Sequence, residues 1–336
     1  MSTVSDSHSH DMQRKPIEEY GFYGRLSSDF PSQVIIDVTE VCNLACVHCP
    51  HPEFKKSDYY DTRYLDPELN KKIVDEIKEL GQNKTQYIRY SSEGEPLIHP
   101  KGYEMIEYAT RNSGVFVTLT TNGTIMNEKR TRRLLDAGVH MIDISIDAYT
   151  PETYAKIRVN GDLNVTKKNV LNLLAWIKQT GASTKVVVSF IEQPQNSCEV
   201  DAFESFWKEQ GVDSVVVRRL HSAAGAVVNV AQIMRAEQAR EVRRPCVYPW
   251  ERIVLNPRGF LAFCPADWTH GSSIGDFRTT TIAQVWSSDF YQSLRDAHIR
   301  NDYKAHVFCG QCPDWKQTRW PNEGRGYADL IGELQQ

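Results

Sequence analysis

The chain has 336 residues and a formal net charge of −4, with 40% hydrophobic and 24% charged residues. Such a chain can bury a sizeable core, and no face is obviously basic enough for a nucleic-acid partner. No run of about 18 apolar residues exists, which argues against a membrane-spanning helix.

Residues 1–32 read as a polar tail with a disordered start; its SHSH is low-complexity rather than a metal site, and no apolar stretch marks a secretory signal. Two periodicities then alternate. QVIIDVTE (33–40) reads as a strand, followed by a cysteine-bearing loop and the amphipathic helix PELNKKIVDEIKEL. QYIRYSS (86–92) and VFVTLTTNG (115–123) are the next strands, each with a helical stretch behind it. MIDISIDA (141–148) is the fourth, and the long helix after it carries Val170, Leu174 and Ile177 on one face. TKVVVSFI (184–191) and SVVVRRL (214–220) complete the set. β-branched runs between amphipathic helices mean parallel strands covered on both sides. The fold class is therefore α/β, a partial (β/α)6 barrel over residues 33–221.

Residues 222–245 form a connecting segment in which MRAEQAREVRR reads as a solvated helix face. Residues 246–316 hold RIVLNPRGFLAFC, a hairpin turning at Asn256 to Gly259, then a helix near TIAQVWSSDFYQSLRDAHI and a final cysteine pair. Residues 317–336 read as a tail. Two strands and one helix cannot bury a core alone, so this small domain needs a staple.

Eight cysteines without an export signal are expected to be reduced thiols in the cytoplasm. Cys42, Cys46 and Cys49 form a C-x3-C-x2-C array in the loop after the first strand. Three thiols leave a site open: they suit either zinc with a remote ligand such as His48 or His51, or a cluster with one bare iron. Cys246, Cys264, Cys309 and Cys312 supply four thiolates, enough to close a zinc ribbon or a structural or electron-transferring cluster. Cys198 reads as a free structural cysteine. In a βα barrel the loops at the carboxyl ends of the strands gather on one working face. The cysteine loop, SSEGEP (91–96), TTNG (120–123), SIDA (145–148) and FIEQP (190–194) all fall there.

CNLACVHC, followed one βα unit later by GEP, resembles the radical S-adenosylmethionine (SAM) superfamily over nearly the whole chain. The resemblance implies a [4Fe–4S] cluster on Cys42, Cys46 and Cys49 whose open iron is chelated by SAM. It also implies reductive cleavage to a 5′-deoxyadenosyl radical that takes hydrogen from substrate. Gly94, Glu95 and Pro96 match the segment that meets the methionine amino group. Ser145 and Arg158 match positions that bind its carboxylate or the ribose, Asn122 is a further cofactor candidate, and His48 occupies the position near adenine. Glu93 stands where a glycine is common. The second cysteine group is similar to the shortened "twitch" form of the SPASM extension, with a spacing like that of the butirosin aminocyclitol dehydrogenase. This implies an auxiliary [4Fe–4S] cluster on Cys246, Cys264, Cys309 and Cys312.

An auxiliary cluster beside a radical site favours oxidation of a sugar or cyclitol-like metabolite, with an external electron donor such as flavodoxin or ferredoxin. The alternatives are modification of a ribosomal peptide and a zinc-stabilised binding module. Only some 32 residues precede the first strand, too few for a fused leader-binding domain. Glu192 and Arg219, at the ends of strands five and six, are the candidate catalytic residues. Strand alternation sends one of Arg218 and Arg219 to the interior.

Overall fold

The runs of Val and Ile pair as neighbours, in chain order. The computed structural model describes residues 29–91, 93–238, 241–320 and 326–335; the start of the polar tail and Ser92 of SSEGEP lie outside the described residues. Strands β1 (Gln33–Ile36), β2 (Tyr87–Tyr90), β3 (Phe116–Thr121), β4 (Met141–Ser145), β5 (Lys185–Glu192) and β6 (Ser214–Arg219) are all parallel. Side chains alternate across them. Ile88, Val117, Ile142 and Val186 join the main core under the surrounding helices. Tyr87, Phe116, Met141 and Val187 point to the opposite, inner face, where they pack with Leu330 and Ile331.

Those two residues belong to a helix, Tyr327–Leu334. This helix, in the expected tail, is therefore a plug that closes the inner face at the amino ends of the strands. Tyr327, Leu330, Ile331 and Leu334 carry its apolar stripe at i, i+3, i+4 and i+7, and all four belong to this cluster.

The small C-terminal region also differs from expectation. Its hairpin forms as read, β7 (Arg252–Leu255) against β8 (Phe260–Ala262), with the Asn256 side chain accepting the Arg258 and Phe260 amides at 3.1 and 3.0 Å. The hairpin does not stand alone. β7 pairs in parallel with β1, and β9 (Ser273–Asp276) adds to β8, so the sheet runs β6-β5-β4-β3-β2-β1-β7-β8-β9. The open edge of β1 accepts an apolar strand, and burial of Ile253 and Leu255 in the main core follows. Sheet pairing with β1 thus helps to hold this region. The single helix expected beyond is two, Ile282–Trp286 and Asp289–Arg300, because Ser288 caps a new start through the Tyr291 amide at 3.3 Å. Glu76, on the first βα helix (Pro67–Leu80), accepts the Ile282 and Ala283 amides at 3.0 Å each and ties the two regions together.

Replacing Ile331 by Ala removes buried surface from the plug and is expected to cost about 2–5 kcal/mol. Thermal unfolding of the cluster-loaded protein would show a lowered Tm; an unchanged Tm would mean that the helix is no part of the core.

Candidate active site

β1 delivers the chain into the loop that carries Cys42, Cys46 and Cys49, and neighbouring βα units hold that loop from several sides. The Ala45 and Val47 amides donate to the Val159 and Ile157 carbonyls at 3.0 Å each, and the Glu95 amide donates to the Val41 carbonyl at 2.9 Å. Asn43 accepts from Asn122 Nδ2 at 2.9 Å and donates to Thr124 Oγ1 at 2.8 Å. At Gly94 a Cβ would stand 2.3 Å from the Thr39 oxygen and 2.5 Å from the Val41 oxygen. Only glycine permits that approach. Its close contact is thus with the cysteine loop itself.

Glu95 is buried, and its carboxylate accepts Thr121 Oγ1 at 2.7 Å, the Asn122 amide at 2.8 Å and the Leu97 amide at 3.2 Å. Burial raises its pKa and these bonds lower it, with burial the larger effect. The carboxylate is committed to joining β2 to β3, and Pro96 opens the short 3-10 turn Pro96–Ile98. Glu93, at the expected glycine position, donates its amide to Asp37 Oδ2 at 3.0 Å. Burial, then Asp37, Glu40 and Asp267, push its carboxyl pKa well up, while Arg258 opposes them.

A residue that the sequence reading missed sits at the centre of the next group. Asp147, in SIDA, lies in the left-handed region at φ 62°, where Asp is among the tolerated residues. It accepts Arg158 Nε at 2.8 Å, Arg158 Nη2 in a short contact and the Ile191 amide at 2.7 Å, with His48 Nε2 at 3.5 Å. Burial opposes the charge on Arg158, but Asp147 and Cys46 outweigh it and keep the guanidinium protonated. Burial also raises the Cys46 thiol pKa, against the lowering influence of Arg158. His48 is driven down to about 4 by burial, and its Nδ1 lies 3.4 Å from Gln193 Nε2. Ser145 Oγ stands 3.5 Å from Ser189 Oγ on the inner face.

The second cysteine group is held by carbonyl contacts rather than by its hairpin alone. Arg243 donates to the Cys309 and Gly310 carbonyls at 2.5 and 2.9 Å, Arg235 to Gln311 at 3.2 Å, and Arg244 to Lys316 and Thr318 at 3.1 and 3.0 Å. MRAEQAREVRR is therefore no simple solvated face. Its guanidinium forks latch the connecting segment onto the Cys309–Cys312 loop. Asp314 accepts the Ser222 amide, Ser222 Oγ and the Ala224 amide at 2.8, 2.9 and 2.6 Å, and gives its own amide to Cys312 Sγ at 3.4 Å.

Seven cysteines from the two groups line one cavity of about 730 Å³, together with His48, Gly94, Glu95, Asn122, Ser145 and Arg158. Cys198 is exposed elsewhere, not buried as a structural thiol. Glu192 is exposed and does not line the cavity; Arg219 is exposed at its rim. Arg218 is the inward residue of the pair and meets Asp143. The register that sets Ile191 opposite Arg218 and Glu192 opposite Arg219 decides this, and the two candidate catalytic residues fall on the outward side.

No cysteine is in a disulfide. Burial pushes Cys42, Cys49 and Cys312 up to about 12 and Cys246 up to about 11, so these are neutral thiols until a metal takes their protons. A single zinc would draw its donors to within about 2.3 Å of one point. Among the described residues no three His, Cys, Asp or Glu side chains converge in that way, and His51 Nε2 is bound to the Glu40 carbonyl at 2.8 Å. Cys49 feels Cys46 and Cys42, and Cys264 feels Cys312, Cys309 and Cys246, so the soft donors form two groups on one cavity and fit polynuclear iron–sulfur clusters, which take thiolates on separate irons.

A model of the radical SAM superfamily matches residues 36–192, and one of the SPASM iron–sulfur cluster-binding domain matches residues 246–313. The chain carries a radical SAM domain and a SPASM domain. Its cofactors are SAM, a SAM-binding [4Fe–4S] cluster and an auxiliary iron–sulfur cluster. The mycofactocin maturase MftC of Mycolicibacterium smegmatis is 27% identical over 232 residues, 69% of this chain and 56% of the maturase. A probable GTP 3′,8-cyclase of Methanococcus maripaludis is 34% identical over 148 residues, 44% of this chain and 46% of the cyclase. The chain spans about half the length of these curated relatives. Among solved structures, Streptococcus suis SuiB bound to precursor peptide SuiA matches with a TM-score of 0.61 at 13% identity, covering 99% of this chain and 82% of SuiB. BtrN in complex with AdoMet and 2-DOIA matches at 0.56 and 18% identity, covering 84% and 92%. At such identities the likeness is one of fold. Among the described residues, no helix is long and apolar enough to cross a membrane.

Gly94→Ala is expected to displace the cysteine loop. Iron and sulfide analysis after anaerobic reconstitution should then show loss of one cluster with the other retained; full loading of both would contradict the clamp.

Proposed function

We propose that the chain is a radical SAM oxidoreductase acting on a small polar alcohol of the sugar or cyclitol type. One observation carries this reading: the three-cysteine and four-cysteine groups line the same cavity. In this reading Cys42, Cys46 and Cys49 hold the SAM-binding cluster, and Cys246, Cys264, Cys309 and Cys312 hold the auxiliary one. Residues 33–221 form the radical SAM unit and 246–316 the auxiliary unit, joined through β1 and β7, while the helix in 317–336 floors the barrel.

When bound, the reduced cluster and SAM supply a 5′-deoxyadenosyl radical, and the auxiliary cluster supplies an acceptor for one electron. An alcohol carbon that gives up a hydrogen atom, a hydroxyl proton and one electron becomes a ketone. The chain's own contribution is position and exclusion of water. Asp147 orients Arg158 beside Cys46, leaving other guanidinium N–H groups for the methionine carboxylate. Ser145 offers a hydroxyl from the inner face, and His48 presents its ring beside adenine. Gly94, Glu95 and Asn122 act mainly by fixing the cysteine loop. An external one-electron donor such as flavodoxin or ferredoxin reduces the first cluster.

Peptide modification is the second reading, favoured by similarity to a protein named as a maturase. With dithionite and SAM under anaerobic conditions, the reconstituted protein is expected to form 5′-deoxyadenosine, and Cys46→Ala to abolish it; unchanged cleavage in that variant would refute the site. A carbonyl product formed in step with 5′-deoxyadenosine supports alcohol oxidation. SAM consumption without a carbonyl counts against it, and modification of a leader–core peptide selects the second reading.

A further inference from the structure

We propose that the inner face of the barrel, between β2 and β6 and above the plug helix, binds an anionic group of the substrate, a carboxylate or a phosphate. The inference rests on the proposed function of the cavity and adds the charge of its substrate. Asp143 on β4 is fully buried. Its oxygens meet Ser189 Oγ at 2.7 Å, the Arg218 guanidinium in a close contact, and Arg89 Nη2 at 3.8 Å. Two guanidinium groups thus share one carboxylate, and both arginines line the cavity.

Their remaining contacts do not cancel the excess charge. Arg89 Nε donates to the neutral Thr120 hydroxyl at 3.0 Å, and both guanidinium groups lie over the Tyr327 ring, at 4.4 and 5.3 Å from its centroid. Arg218 Nε is buried without a partner. Of the carboxylates that line the cavity, Glu95 is occupied with Thr121 and Asn122, and Asp314 with Ser222 and Ala224. Glu93 has Asp37, Glu40, Asp267 and Arg258 as its charged neighbours, not these arginines. Asp147 is paired directly with Arg158 and acts on Arg218 more weakly than Asp143 does, so three guanidinium groups share two carboxylates. Beyond β6, His221 lines the same cavity and accepts the Ala223 amide on Nδ1 at 3.1 Å, which leaves Nε2 as a hydrogen-bond donor. A sheltered guanidinium in excess over carboxylates is costly unless an anion completes the set, and its planar fork suits carboxylate or phosphate oxygens.

The test is anaerobic calorimetric titration of the cluster-loaded protein, saturated with SAM, using glucuronate, glucose 6-phosphate and neutral glucose as probes. At least one anion should bind about tenfold more tightly than glucose, and whichever anion does so identifies the carboxylate or phosphate source. Arg218→Gln should remove that preference and Arg218→Lys should restore part of it, with Arg89→Gln as a second variant and iron content as the check on folding. Equal affinities for all three sugars, or an anion preference that survives both Gln variants, would overturn the proposal. So would a matching loss of SAM affinity in Arg218→Gln, since the anion bound would then be the carboxylate of SAM. Failure of the underlying reading shows separately, as absence of SAM binding to the unsubstituted protein.

Discussion

The structure depends on one clamped loop. A C-x3-C-x2-C segment has too few donors to fix its own geometry, so the surrounding polypeptide must do it. Here the Gly94 backbone lies against Thr39 and Val41 with no room for a Cβ, the Ile157 and Val159 carbonyls accept two amides of the loop, and Asn122 bonds across to Asn43. These restraints come from the segments that follow β2, β3 and β4, so the position of the thiols is set by the strand register itself. Preorganisation of this kind is what a reactive centre needs, because small displacements there are expensive in rate.

The second cysteine group reaches the same enclosure by a different route. β7 extends the sheet from β1 and turns the chain back, Arg243 and Arg244 grip the loop carbonyls, and Asp314 joins that loop to the turn after β6. Removing any one link leaves the others, but together they place the two cysteine groups on one cavity. The plug helix closes the far end. Its Tyr327 ring lies beside Arg89 and Arg218, so the floor of the cavity is polar and cationic even though the helix beneath it is apolar.

Much of this was legible in the sequence because it is local. Six β-branched runs, the hairpin at Asn256 to Gly259 and the cysteine spacings each declare themselves within a few residues. The misses are non-local or depend on register. Nothing near Arg252 says that its strand will pair with one more than two hundred residues earlier. Strand alternation separates Arg218 from Arg219 but cannot say which faces inward until the pairing with β5 is known. Asp147 looks like any acidic residue at a strand end, and only the fold brings Arg158 and His48 to it. That the Glu95 carboxylate bonds Thr121 and the Asn122 amide is likewise visible only once β3 lies beside β2. The plug was readable: the spacing of Tyr327, Leu330, Ile331 and Leu334 is helical, though its partner surface is again non-local.

Mössbauer spectroscopy of the chain reconstituted with isotopically enriched iron, recorded with and without SAM, tests the central claim most directly. The account predicts two cubane clusters, with one iron of one cluster changing its signal when SAM is added. Iron signals indifferent to SAM, or stoichiometric zinc in place of iron in the protein as isolated anaerobically, would contradict it.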